Sequence, residues 1–313
     1  MPDQPKVIVC DQLLMDYFGT LLDEFTPPAF WNSSDPMARL HEIGSEVRVL
    51  ITYGGNPRLP ALVSALPKLG AVLVSGAGYE GIDFDMLRAR GIVCANNGPG
   101  NSEDVADLAL GMALAARREI IAGDRFVRDG SWTVTGGITK SFCSMRAGIV
   151  GYGYIGKAIG RRLDGFGMDS AWWAPRPQPA ESRCRAETLL DLAKSSDLLF
   201  IACPGGEATR RLIDRHIIEA VGPDGLIVTV ARGSVIDEDE LIKALRDGRL
   251  GGAGLDVFEQ EPTPAARWTG VPNVVLSPHR GGVTDAARLR TIELTRQNIR
   301  RFLAGEDLFD RLI

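Results

Sequence analysis

The residues best placed to do chemistry begin with a glycine series, Gly151-Tyr152-Gly153-Tyr154-Ile155-Gly156, which fits the pattern GxGxxG. It follows an apolar run, Gly148-Ile149-Val150, and leads into the amphipathic stretch KAIGRRLDGFG. In that setting the first glycine permits a tight turn, the second lets backbone approach a pyrophosphate, and the third lets helix pack on strand. The unpaired N–H groups at the helix start then favour an anion. Dinucleotide binding is therefore the expected chemistry, with Gly151, Gly153, Tyr154, Ile155 and Gly156 in contact. Three later segments add reactive side chains: VTVARGSVIDEDEL with Arg232, GGAGLDVFEQEP with Asp256, Glu259 and Glu261, and VVLSPHRGG with His279 and Arg280. Each places polar residues just past an apolar run, where open parallel sheets bind ligands. His279 is one of three histidines; His41 and His216 lie in helix-like stretches without a motif and are expected to be structural or solvated.

The adenine-ribose position is unusual. An NAD-selective site ends its second strand with Asp or Glu. Here the stretch SAWWAPRPQP ends its apolar run near Ala174, and no carboxylate appears before Glu181. Arg176 stands just beyond. A missing carboxylate removes repulsion against a 2′-phosphate, and an arginine offers it a planar donor fork. The expected cofactor is thus NADP by preference, with NAD possible; the alternative is that Arg176 is a solvated loop residue.

These groups need a scaffold, and the chain supplies alternating short apolar runs and amphipathic stretches, the pattern of α/β folds with parallel sheets. A first strand series reads KVIVC (6–10), RVLIT (48–52), AVLVS (71–75) and IVCAN (92–96). A second reads GIVG (148–151), SAWWA (170–174), LLFIAC (198–203), LIVTV (226–230), GGAGLD (251–256) and VVLS (274–277). Between them, NSEDVADLALGMALAARREIIAGDRFVRDG reads as one long helix with an apolar face of Val105, Leu108, Ala109, Met112 and Ala116. A last helix is expected over about Val283 to Ala304. The predicted fold is two doubly wound parallel-sheet domains, a Rossmann cofactor domain over 99–285 and a flavodoxin-like substrate domain over 1–98 and 286–313. The crossings near 97–102 and 281–285 are rich in glycine, asparagine or proline, which suits hinges.

Taken in order, GAGYEGID, NSEDVADLALG, GxGxxG, ARG, DVFEQEP and SPHRGG resemble the D-isomer-specific 2-hydroxyacid dehydrogenases over essentially the whole chain. The texture of GPDGLIVTVARG and DGRLGGAGLDVFEQEP is closest to the glyoxylate/hydroxypyruvate and hydroxyphenylpyruvate reductases. That resemblance implies a reductase of small 2-keto acids, such as glyoxylate, hydroxypyruvate or an arylpyruvate, that forms the D-2-hydroxy acid. It implies Arg232 as the carboxylate clamp, His279 as proton donor and Glu261 as the acid that orients it. It places Gly54, Ala77 and Gly78 at the substrate, although GAG equally makes an ordinary tight turn. Cofactor contacts are implied for Val105, Ala174, Arg176, Cys203, Pro204, Thr209, Val230, Ala231, Asp256, His279 and Gly281, beside the glycine series. Two departures from the family stand out: Cys203-Pro204-Gly205-Gly206 replaces a Pro-Leu-Thr-like turn, and Arg280 stands where an apolar residue is usual. Other activities compatible with the resemblance are phosphoglycerate dehydrogenase-like turnover and a cofactor-sensing, corepressor-like role.

Bulk properties narrow the partners. The chain of 313 residues is 45% hydrophobic with a net charge of -5, against a general affinity for nucleic acid or anionic membrane. The most apolar helix candidate, Leu108 to Ala116, is too short to span a bilayer, and MPDQPKVIVCDQLL lacks a basic leader, so no signal peptide is expected. Five scattered cysteines without a CxxC pair predict neither a disulfide framework nor a metal site, and a cytoplasmic location fits. A homodimer is implied by the resemblance, with helix 102–129 and Trp132 as interface candidates.

Overall fold

The computed structural model describes residues 6–132 and 138–313. The chain divides into two compact units, Met1–Asn101 with Val283–Ile313, and Ser102–Gly282.

The first unit is built on four parallel strands, β1 (Val7–Val9), β2 (Val49–Thr52), β3 (Ala71–Val74) and β4 (Val93–Asn96), in spatial order β1-β2-β3-β4. Almost every strand residue is buried, because helices cover both faces; this is why the strands read as continuous apolar runs rather than alternating ones. The C-terminal helix Asp285–Ala304 belongs to this unit and puts Ile292 and Ile299 into its core. The hydroxyl of Thr284 caps the helix by accepting from the Ala287 amide, and Gly305, at φ 77°, ends it in the left-handed conformation. Each crossover steps in the same direction along the four strands, so they contain no reversal of winding.

The second unit does reverse. Its six parallel strands are β5 (Ala147–Val150), β6 (Ser170–Trp173), β7 (Leu198–Ile201), β8 (Leu226–Thr229), β9 (Gly252–Leu255) and β10 (Val274–Leu276), in order β10-β9-β8-β7-β5-β6. The chain starts at β5, steps outward to β6, then returns to the other side of β5 at β7. The switch point between β5 and β7 is where doubly wound sheets bind ligands. An isolated parallel bridge from Trp172 to Arg185 adds the rudiment of another strand beyond β6. Most of these strands end a residue or two before the apolar runs do. The leftover residues, Ala174, Cys203, Val230, Asp256 and Ser277, begin the loops that carry the site.

The long helix is two. Ser102–Arg117 buries Val105, Ala106, Ala109, Leu110, Met112 and Ala113 and passes so close to β9 that a side chain on Gly254 would meet Met112 Cβ at 3.0 Å. Ile120–Arg128 buries nothing. Between them Glu119 turns to φ 52°. No core remains to hold the second half in line with the first. Hydrogen bonds from Arg117 to the Asp224 carbonyl (3.1 Å) and from Arg118 to the Thr139 hydroxyl (3.1 Å) fix the break.

Candidate active site

The glycine series connects β5 to the helix Tyr154–Gly165, and its three glycines answer to three constraints. Gly151 sits at φ 88°, and a Cβ there would come within 2.5 Å of Cys203 Cα at the neighbouring strand end. Gly156 lies so tightly on the Gly151 carbonyl that no side chain fits. Gly153 differs: a Cβ there would meet nothing within 4 Å. The protein leaves that space open above the start of the helix, as a pyrophosphate requires. Tyr154 is exposed and Ile155 half-buried beside it.

Past the switch point, burial pushes the Cys203 thiol up to about 11, so it is a neutral group just beyond the end of β7. The departure at Pro204-Gly205-Gly206 is closed by Thr209, whose hydroxyl donates to the Pro204 carbonyl at 2.8 Å and lies 3.2 Å from that of Gly206, at φ 141°. Thr209 thus props the turn from within. At the end of β6, Ala174 accepts at its carbonyl from Arg185 Nη2 (2.9 Å), while Arg185 Nε is buried with no partner. Arg176 is exposed and makes no hydrogen bond or ion pair among the described residues. Arg183 is committed to the Asp164 carboxylate (2.7 and 2.9 Å) and the Tyr152 hydroxyl (2.7 Å). Gln178 reaches from the same loop to the Tyr152 carbonyl at 2.9 Å. Nothing in the spacing of these residues announced either contact.

Arg232, Glu261 and His279 follow three strands that lie side by side, β8, β9 and β10. Thr229, Leu255 and Leu276 form one row of that ladder. Arg232 and His279 each stand three residues beyond it. Arg232 is extended and half-buried, with Nη1 donating to the Ala231 carbonyl at 2.6 Å; Val230 and Ala231 are buried behind it. Gly233 follows because its Cα packs directly on the Phe258–Glu259 backbone, where any Cβ would overlap. That contact joins the arginine loop to the loop bearing Glu261, and sequence reading missed it.

His279 has φ 52°, uncommon for a residue with a side chain. Its amide donates to the Asp256 carbonyl at 2.8 Å. The Asp256 carboxylate, 2% exposed, accepts from the Ser277 hydroxyl (2.5 Å) and from the amides of Arg280 (2.7 Å) and Gly281 (2.8 Å). Asp256 therefore grips the loop on both sides of His279, and only one lone-pair site of its carboxylate is left for a ligand. Gly281 completes this knot: a Cβ there would touch the Asp256 carboxylate and Val105. The imidazole Nδ1 lies 2.7 Å from Glu261 Oε2, and Glu261 Oε1 accepts from the Phe258 amide at 3.0 Å. A carboxylate only accepts, so Nδ1 carries the proton. Nε2 has no partner among the described residues, and the ring is 48% exposed. The arrangement is an imidazole oriented by a carboxylate, with Nε2 open, a geometry that suits proton transfer.

In the first unit, Gly54 packs on the Gly78 carbonyl too closely for a side chain. The carbonyls of Gly76 and Ala77 accept from the Asn97 amide (3.0 Å) and Asn96 Nδ2 (2.7 Å). The amides of Gly76, Ala77 and Gly78 carry no hydrogen bond within the described residues, an arrangement that suits an anion.

The model of the D-isomer specific 2-hydroxyacid dehydrogenase NAD binding domain matches residues 110–281. The chain belongs to that family. The dehydrogenase is 36% identical over 285 residues to glyoxylate/hydroxypyruvate reductase A of Arabidopsis thaliana, covering 91% of each chain. It is 34% identical to the 2-ketogluconate reductase of Gluconobacter oxydans over the full length of both. Among solved structures, the NADPH-dependent glyoxylate/hydroxypyruvate reductase of Sinorhizobium meliloti, in complex with NADP and malonate, superposes with a TM-score of 0.85 at 29% identity, covering 99% of this chain and 97% of that one. The dehydrogenase is thus an NAD(P)-dependent oxidoreductase. No helix among its described residues is long and apolar enough to cross a membrane.

Proposed function

We propose that this dehydrogenase reduces a small 2-keto acid to the D-2-hydroxy acid, with His279 as the proton donor. The observation that carries the reading is the 2.7 Å contact between Glu261 Oε2 and His279 Nδ1, beside an Nε2 with no partner among the described residues. Bound at Gly153 and the start of helix Tyr154–Gly165, a nicotinamide cofactor supplies the hydride. The protein does the rest. Arg232 offers a cationic fork to the substrate carboxylate and keto oxygen. As the imidazolium, His279 delivers its Nε2 proton to the oxygen as negative charge grows there and is left as the Nδ1–H tautomer. Glu261 holds the ring in the tautomer and orientation this needs, and supports the charged form. Asp256 fixes the backbone from which the ring projects. NADPH is proposed as the preferred cofactor, because Ala174 carries no acid to repel a 2′-phosphate and Arg176 is unengaged. The enzyme is further proposed to act as a cytoplasmic homodimer.

The test is a panel of glyoxylate, hydroxypyruvate, an arylpyruvate and 2-ketogluconate, run with NADPH and NADH and followed by cofactor absorbance. At least one acid should turn over and give the D product. His279→Ala should lose roughly 10²–10⁴-fold in kcat while keeping its cofactor affinity. Arg232→Ala should raise KM as well as lower kcat. A His279→Ala enzyme of normal rate sinks the proton-donor role.

A further inference from the structure

We propose that Glu238 is a positioning residue for the Glu261–His279 pair, acting through the backbone of Glu259. The inference rests on the proton-donor reading above and deepens it.

Glu238 opens the helix Glu238–Arg246 within an acidic run, DEDE, that reads as a solvated helix start. It is not solvated. Its side chain is 1% exposed, whereas that of the next residue, Asp239, is 70% exposed. Nor does it cap the helix, since Asp237 already accepts from the Glu240 amide at 3.2 Å. The Glu238 carboxylate turns away to a different segment. Oε2 accepts from the Glu259 amide at 2.9 Å, and Oε1 is paired with Arg267 Nε. Arg267 in turn reaches Asp239 at 2.8 Å. A buried carboxylate is costly unless its partners are fixed, and both partners here are fixed.

The segment from Phe258 to Glu261 is thereby pinned at three successive points. The Phe258 amide donates to Glu261 Oε1, the Phe258 carbonyl lies against Gly233, and the Glu259 amide donates to Glu238. The first two pins are local to the loops themselves. The third alone is a charge brought from another helix, and the Glu238–Arg267 pair sets its place. Without it the turn is free to open at Glu259, and the Glu261 carboxylate loses its register with the imidazole. Other charged groups nearby do not substitute. Arg211 reaches the Glu259 side chain (3.6 Å) and Asp237 (3.5 Å), not the Glu259 amide. On the other side of the imidazole, Asp256 holds the loop through the Arg280 and Gly281 amides and does not touch Glu261.

The experiment compares Glu238→Ala, which removes the acceptor, with Glu238→Gln, which keeps one. Two-bond proton–nitrogen spectra of the imidazoles report which nitrogen carries the proton; with three histidines in the chain, His279→Ala identifies the resonance. In the wild type His279 should be the Nδ1–H tautomer. Glu238→Ala should shift it to a mixture and cost roughly ten- to hundredfold in kcat, with cofactor affinity unchanged. Glu238→Gln should restore most of both. A wild-type imidazole spectrum in a folded Glu238→Ala protein overturns the proposal, as does equal loss in both variants without a change of tautomer. If Glu238→Ala does not fold, Arg267→Lys serves instead: it should move the tautomer the same way to a smaller extent, and no movement overturns the proposal. Glu261→Gln is the control. If it leaves His279 unmoved, the pair itself is misread; if it moves His279 and the Glu238 and Arg267 variants do not, only the role of Glu238 fails.

Discussion

Arg176 stands two residues beyond Ala174 on a stretch whose other arginines are taken. Arg183 is held by Asp164 and Tyr152, and Arg185 by the Ala174 carbonyl. A free guanidinium on an exposed loop contributes little to stability, so its removal tests ligand recognition almost alone. Arg176→Ala should lower kcat/KM with NADPH by roughly ten- to hundredfold, the worth of one charge-assisted contact, and leave NADH use nearly unchanged. An unaltered ratio of the two efficiencies would remove the case for phosphate recognition here. At this scale the sequence was legible wherever a residue type is forced by chemistry. Histidine after a strand and glycine in the dinucleotide loop are of that kind. Asp256 was picked out as a cofactor contact, but its hold on the backbone was not legible, and neither was Glu238. Their carboxylates act on backbone amides of other segments, and an amide leaves no trace in residue type. Gly233 was hidden for the same reason, because its partner is backbone.

Among elements, the β5–helix turn allows a sharp separation of folding from binding. A methyl group at Gly156 would strike the Gly151 carbonyl, whereas one at Gly153 would enter open space at φ -84°, which any residue tolerates. Gly156→Ala should therefore destabilise the protein by about 1–3 kcal/mol as helix is pushed from strand, read as a lower Tm. Gly153→Ala should keep its Tm and lose cofactor affinity, read by quenching of nicotinamide fluorescence or by calorimetry. Normal affinity in Gly153→Ala would place the pyrophosphate elsewhere. Strands were the most legible elements, because a parallel strand buried on both faces leaves an unbroken apolar run. The break at Arg118-Glu119 was not. Nothing in ALAARREIIAG interrupts helical spacing, and neither glycine nor proline marks the turn. The helix stops following its first direction because the core it packs on ends, which is a property of other segments.

For the whole molecule, the face left by that break bears on assembly. Ile120, Ile121, Phe126 and Val127 are 43–58% exposed on a helix that buries nothing, and Trp132 follows at 77%. Apolar groups gathered in this way favour burial against another surface, and a second copy is the proposed one. Phe126→Asp should convert a dimer to a monomer in light scattering after size exclusion, with the fold retained in circular dichroism. A wild type that is monomeric at every accessible concentration would refute it. The C-terminal helix lies with the first unit, where Ile292 and Ile299 join its core. The order of strands in the first sheet was not legible, since it depends on which neighbours pair and every run there looks alike. The sheet of the second unit also governs how such an enzyme can change over time. Arg232 and His279 are spaced by a ladder in which neighbouring strands lie about 4.8 Å apart, not by the segments that join them. At the opposite end of the strands, the turn at 269–273 rests on Gly270 and Asn273 in left-handed conformation, and a Cβ on Gly270 would meet nothing. Residues gained or lost there alter the outline of the protein and leave the separation of arginine and histidine untouched. The site is inherited with the ladder, while length at the far end is free to drift.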